Sequence, residues 1–249
     1  MSIDPMTFNK PRFWDRSETR LAAILFVVLI LLNAVLNPVR FSPANWPTVL
    51  GLAAPMILAT MATTLPFLAG RGSIDVSVGP LMGLINVILI KVVIGDLGIS
   101  SPWIIVPAAL LLGLASGALN GFLAAILRIQ PIVATLATYL IYSGLALSIL
   151  PSPSGTVPGW LSALSGPLSF IPVGVVIVAW LFFKRLPFYE LLMAVGSDDR
   201  AAFTAGVNVP VIRFFAYVFS GLVAGVAALA LTALIGSGKF YSDLGIDKL

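Results

Sequence analysis

Arg71-Gly72-Ser73-Ile74-Asp75-Val76-Ser77-Val78-Gly79 joins two apolar segments, Thr48 to Ala69 and Ser77 to Gly95, each long enough to cross a lipid bilayer. An aspartate beside such segments needs a reason. Placing one near the hydrocarbon centre costs roughly 2.5 to 3.5 kcal/mol on insertion scales, so a carboxylate here marks a pathway, a polar cavity or a helix break. The glycines around Asp75 point to a break.

Outward from this run, the whole chain reads as a membrane protein. Of its 249 residues 59% are hydrophobic and 10% charged, with a mean hydropathy of +1.06, which leaves too little polar surface for a water-soluble fold. Continuous helix satisfies every backbone donor and acceptor internally. The expected fold is therefore all-α, a polytopic transmembrane helical bundle of about seven spans. These lie near Leu21 to Leu36, Thr48 to Ala69, Ser77 to Gly95, Trp103 to Leu127, Pro131 to Leu150, Leu168 to Phe183 and Ile212 to Ile235. The alternating ten-residue segments of a membrane barrel are not present in the sequence. No convincing small-residue cleavage site follows the first apolar run, so it reads as a retained helix. The domain reading is a tail over 1–20, a transmembrane domain over 21–235 that includes a polar loop at 184–211, and a short tail over 236–249.

Lysine and arginine set the expected orientation. Lys10, Arg12, Arg16 and Arg20 anchor the amino terminus in the cytoplasm, and counting spans places Arg71, Arg128, Lys184, Arg185, Arg200 and Arg213 on the same side. That face holds ten of the 14 basic residues; Arg40, Lys91, Lys239 and Lys248 fall opposite. The high isoelectric point thus reflects topology and gives no support to nucleic-acid binding.

Cysteine and histidine are both absent, which removes disulfides, thiol nucleophiles, the usual zinc sites and a histidine base. No catalytic or metal-binding residue is expected. Gly236-Ser237-Gly238-Lys239 lacks the spacing of a phosphate-binding loop, so ATP hydrolysis is not expected in this chain.

Two small-residue stripes stand out. Gly113, Gly117 and Gly121 repeat every four residues in the fourth span, and Gly221 and Gly225 do so in the seventh. Each lays bare backbone along one helix side and lets a neighbour approach; tight packing within the chain is the plainer reading, a subunit interface the sharper one. Asn120, beside the first stripe, faces either a polar pathway or a neighbouring helix.

The loop from Pro151 to Pro167 is rich in turn formers and belongs outside, with Trp160 at the lipid boundary or over an entrance. In the longer loop at 184–211, Ser197 or Asp198 caps a short helix. Ala201, Ala202 and Ala205 favour it and Gly206 ends it. Such a compact surface helix with a small-residue face fits a groove on a soluble partner, or else simply connects two spans.

At these places the chain resembles the permease subunits of bacterial ATP-binding-cassette importers of the ribose, xylose and arabinose type. Gly72-Ser73-Ile74-Asp75-Val76-Ser77-Val78-Gly79 is similar to that family's G-G-I-D-L-S-V-G run, and Ala118-Leu119-Asn120-Gly121 and Ala134-Thr135-Leu136-Ala137-Thr138 look like further family stretches. The family's E-A-A-x-x-x-G coupling element is similar to Arg200-Ala201-Ala202-Phe203-Thr204-Ala205-Gly206, with Arg200 in place of the glutamate and Asp199 adjacent. Relative to the family pattern the chain stops early, at Leu249.

This resemblance implies a permease in the bacterial inner membrane, with the amino terminus cytoplasmic. Its partners would be a second permease subunit, a cytoplasmic ABC ATPase carrying the ATP and magnesium, a periplasmic sugar-binding protein and membrane lipid. The ATPase would contact Glu190, Gly196, Asp199, Arg200, Ala201, Ala202 and Gly206. Gly72, Ile74, Asp75, Ser77 and Gly79 carry the motif at the helix break, where Asp75 with Arg71 reads as a structural pin more readily than as a sugar ligand. Asn86, Asn120, Thr135, Tyr139 and Ser143 are the unranked candidates for an uncharged sugar pathway. A permease for branched-chain amino acids or nucleosides, a secondary transporter and a non-transporting membrane scaffold stay open as alternatives. The secondary transporter would need midplane acids and inverted repeats that are not seen.

Overall fold

The computed structural model describes residues 17–70 and 72–236. Two compact units result, Met1–Trp46 and Pro47–Leu249. Of the first, the described part is helix α1 (Ser17–Leu36) followed by two single 3-10 turns, Pro38–Phe41 and Pro43–Asn45. Asn45 Nδ2 donates to the Val39 carbonyl at 2.6 Å and ties the two turns together.

The second unit is built around α2 (Trp46–Leu68), α3 (Val78–Asp96), α4 (Pro102–Ile126), α5 (Pro131–Ile149) and α10 (Val209–Ile235). Both α3 and α4 finish in π-helical turns, over Ile88–Asp96 and Phe122–Ile126. The share of the apolar stretch buried inside the unit ranks the helices: 67% in α3 and 61% in α10, against 28% in α4 and α5. So α3 and α10 form the centre, and the other helices turn most of their apolar surface outward, as a membrane protein does toward lipid or a partner.

The two glycine stripes meet each other. A Cβ on Gly113 or Gly117 would fall on the carbonyls of Gly221 and Tyr217, one on Gly221 would fall on Gly113, and one on Gly225 would lie 2.7 Å from the Ala109 carbonyl. The stripes therefore bring the backbones of α4 and α10 into direct contact within the chain, which in a membrane replaces hydrophobic burial by close van der Waals packing. Gly121 completes the row against Phe214.

Five described helices are long and apolar enough to cross a membrane, or six if a bent pair counts as one, where the sequence suggests about seven. The difference has two sources. The expected sixth span is the 14-residue α7 (Phe170–Phe183), about 21 Å long. It meets the short α6 (Gly159–Ser162, continued by a turn to Ser165) at 70°, broken at the Gly166-Pro167 turn. Arg20–Leu36 is an apolar helix below the spanning length. The chain is nonetheless an all-α bundle of several membrane-length helices.

The loop after α5 is tied down. Trp160 Nε1 donates to the Ser100 carbonyl at 2.8 Å, and Ser169 Oγ donates to the Pro47 carbonyl at 2.6 Å. Following α7 come α8 (Pro187–Ser197) and α9 (Asp199–Thr204); α9 is the expected short helix, and α8 is an additional one before it. Asp198 divides them: its extended backbone ends α8, and its Oδ1 accepts from Arg200 N and Ala201 N, both at 3.0 Å, capping α9. Gly206 follows α9 with φ +87°, a left-handed conformation that glycine adopts freely.

Candidate functional site: a pinned helix break beside the surface helices

The backbone leaves helix after Leu68 and re-enters it at Val78, so Asp75 lies outside the spanning segments but inside the protein, 5% exposed. Its carboxylate shapes the turn: Ser77 N and Ser77 Oγ donate to Asp75 Oδ1 at 2.9 and 2.7 Å. Asn120 on α4 reaches across, its Nδ2 donating to Ser77 Oγ at 2.8 Å and to Asp75 Oδ2 at 3.4 Å. The other end of that amide is held by α5, where Thr138 Oγ1 donates to Asn120 Oδ1 at 2.8 Å. Thr135, one turn earlier, donates to the Ile74 carbonyl at 3.2 Å and accepts from Val76 N at 3.4 Å. Backbone groups freed by breaking the helix are thus satisfied by Thr135 of α5 and by the Asp75 carboxylate, as the low dielectric of the interior demands, while Asn120 of α4 holds the side chains.

The three stretches 72–79, 118–121 and 134–138 therefore converge on one polar network. Burial pushes the Asp75 carboxyl above the usual carboxylate range, and the donors from Ser77 and Asn120 oppose that shift. Gly72 takes φ +64° with open space around it, Ile74 is exposed, and Gly79 sits in the first turn of α3. Arg71 lies outside the described residues, so the pairing expected of it with Asp75 does not enter this geometry.

The pathway candidates separate into two groups. Asn86, Asn120 and Thr135 are at most 1% exposed, and Asn86 Nδ2 donates to Thr232 Oγ1 on α10 at 3.2 Å. These three are engaged inside the bundle. Tyr139 is 39% exposed on the outer side of α5, and Ser143 is one turn further along with its hydroxyl lacking a partner among the described residues.

The surface helices pack directly against the break. A Cβ on Gly196 would fall on the Leu68 carbonyl, and Gly70, with φ +74°, lies against the Gly196 backbone. Arg213, at the start of α10, spans the junction: its Nε donates to the Ala69 carbonyl at 3.3 Å, and its Nη2 pairs with Asp199 Oδ2 at 3.2 Å. In the sequence Arg213 stands out only as one of the basic residues that set the orientation. A cation at the first turn of a span, beyond the Gly206 stop, was the available signal.

Of the expected contact residues, Ala201, Arg200 and Gly206 are exposed and Glu190 is open to solvent on α8, while Asp199 is largely turned to Arg213. Ala202 departs from the expectation. It is 6% exposed and packs with Leu65, Leu192, Val195, Val209 and Ile212, so it belongs to the core beneath α9. The outer face is carried instead by Phe203, 69% exposed, which the motif, with its alanines and glycine, does not single out.

Comparison with known proteins places the sequence among transport permeases. Residues 46–247 match the family described as branched-chain amino acid transport system / permease component. The galactofuranose transporter permease protein of Escherichia coli (strain K12) is 33% identical over 93% of this chain and 71% of its own length. The ribose import permease protein of Haemophilus influenzae is 27% identical over 96% of this chain and 75% of its own. An autoinducer 2 import system permease protein of Yersinia pestis is 32% identical over 89% of this chain and 64% of its own. No solved structure matches. With its spans, its pinned break and its close-packed α4 and α10 all inside the matched residues, the chain belongs to the family of permease components of ATP-binding-cassette transport systems.

Proposed function

We propose that this chain forms the translocation pathway of a binding-protein-dependent importer for a monosaccharide, driven by ATP hydrolysis in a separate subunit. The family description names branched-chain amino acids, but two of the longer relatives carry the names of galactofuranose and ribose permeases, and the sugar reading follows them. One observation supports coupling in particular: the bridge from Asp199 through Arg213 to the Ala69 carbonyl, which joins α9 to the start of the break.

In this reading a cytoplasmic ATPase, holding ATP and magnesium, grips α8 and α9 through Glu190, Arg200, Ala201, Phe203 and Gly206. Movement of α9 passes through Arg213, and that of α8 through the Gly196–Gly70 contact, to the 70–77 break, and from there through Asn120, Thr135 and Thr138 to α4 and α5. The ATPase and the binding protein each bias one of two arrangements by their differential affinity. A second permease subunit covers the outward apolar faces, with Tyr139 and Ser143 of α5 facing the sugar. The chain lies in the inner membrane with its amino terminus cytoplasmic.

The test is co-expression with the ATPase and binding protein encoded beside it, followed by uptake of labelled pentoses and hexoses into membrane vesicles. ATP-dependent uptake of a sugar is expected. Assembly with uptake of a branched-chain amino acid instead would replace the substrate, and failure of the ATPase to co-purify would reject the coupling role.

A further inference from the structure

A cleft of about 440 Å³ opens where the end of α4, the short helix α9 and the start of α10 come together. Three guanidinium side chains line it, those of Arg128, Arg200 and Arg213, against one carboxylate, Asp199. Arg213 is committed to Asp199 and to the Ala69 carbonyl. Arg128 and Arg200 have no ion-pair or side-chain hydrogen-bond partner among the described residues, so the cleft keeps two uncompensated positive charges.

Two further features set this cleft apart from a merely basic surface. Arg128 has φ +59°, the only non-glycine residue in the left-handed region among the described residues, at a position where glycine or asparagine would be unstrained. Strain of that kind persists when the surroundings over-determine it and concentrates at binding sites. Tyr217, 1% exposed, also lines the cleft. Its hydroxyl lies beside that of Ser73, which lines the cleft as well.

We propose that this cleft is a binding site for a phosphate group. Guanidinium forks match the paired oxygens of phosphate, and a tetrahedral anion has oxygens enough for Arg128 and Arg200 together. The volume exceeds that of a single halide. Ile129 and Phe203 add an apolar wall, which suits a phospholipid headgroup at the membrane surface as well as a soluble phosphate. The proposal stands on the cleft itself; Arg200 and Phe203 are also residues that the transport reading turns toward the ATPase, so a bound phosphate would lie at the edge of that contact, and neither the family description nor the named relatives assign a ligand here.

The test uses the purified chain in neutral detergent, with inorganic phosphate titrated by calorimetry and thermal unfolding against chloride at equal ionic strength. Saturable phosphate binding is expected, weakened roughly tenfold by Arg200→Gln or by Arg128→Gly, as loss of one charge-assisted contact implies. Arg128→Gly relieves the backbone strain and keeps the fold; Arg200→Gln changes an exposed side chain. In nanodiscs of phosphatidylcholine with phosphatidylglycerol, a raised unfolding temperature and no further response to phosphate would identify a lipid source. A continued response to phosphate there would identify a soluble one. The proposal is overturned if chloride acts as well as phosphate, if both variants bind like the parent, or if neither phosphate nor phosphatidylglycerol has an effect.

Discussion

Asn120→Ala is the most direct probe of the pinned break. The substitution removes the 2.8 Å donation to Ser77 Oγ, the 3.4 Å donation to Asp75 Oδ2 and the 2.8 Å acceptance from Thr138. Net bonds of this kind contribute about 1 kcal/mol each, and a buried acceptor left bare costs a further 1 to 3 kcal/mol, roughly. Thr138 has a second acceptor, the Thr135 carbonyl at 3.1 Å, and Ser77 still donates to Asp75. Most of the loss therefore falls on Asp75 Oδ2, and a destabilisation of about 2 to 4 kcal/mol is expected. Thr138→Val, which removes one bond, should cost about 1 kcal/mol.

The assay is denaturant or thermal unfolding in detergent, with Asp75→Asn as the second arm of a double-mutant cycle. A coupling of about 1 kcal/mol or more between positions 75 and 120 is expected for groups in one network. If Asn120→Ala is no worse than Thr138→Val, or its effect is unchanged in the Asp75→Asn background, the network does not hold the break.

The same variants test the pH dependence. Because the folded Asp75 carboxyl titrates above its unfolded value, the folded state binds more protons, and the contribution of this group to stability falls as pH rises through the folded pKa. Below the ordinary carboxylate range both states are protonated and the contribution is complete. Asp75→Asn should flatten that part of the stability profile, whereas Asn120→Ala, by removing a donor that favours the charged form, should steepen it. An unaltered profile in Asp75→Asn would refute the raised titration.

Other outcomes follow from particular contacts. Gly117→Leu or Gly221→Leu should prevent α4 and α10 from closing, with loss of folded yield, while Gly144→Ala, which meets nothing within 4 Å, should be neutral or stabilise by about 0.5 to 1 kcal/mol; equal yields across the three would refute the close approach. Asp198→Ala should cost about 1 kcal/mol and raise amide exchange in 199–204; unchanged protection there would mean the cap does not support α9. Ala202→Glu should destabilise the chain itself, whereas Ala201→Glu should leave it folded and reduce retention of a co-expressed ATPase. Normal folding of Ala202→Glu would contradict its burial.

Hydropathy and residue spacing were sufficient for much of this protein. Apolar length alone located α2, α3, α4, α5 and α10 to within a few residues, because a bilayer admits only segments that satisfy their own backbone. The glycine spacings in α4 and α10 marked helix faces that had to pack closely, and Gly72 to Ser77 marked a break, because both depend on residues near in sequence. What packs on what was a different matter. Nothing local says that Gly113 meets Gly221, that Asn120 and Thr138 serve Asp75, or that Arg213 joins Asp199 to Ala69, since these partners come from separate helices. Nor does composition reveal that Ala202 turns inward and Phe203 outward, or that Gly166-Pro167 bends the sixth apolar stretch by 70°. In a uniformly apolar chain the hydrophobic pattern selects helices but scarcely distinguishes their faces, so the few polar side chains and bare glycines acquire their partners only when the bundle closes.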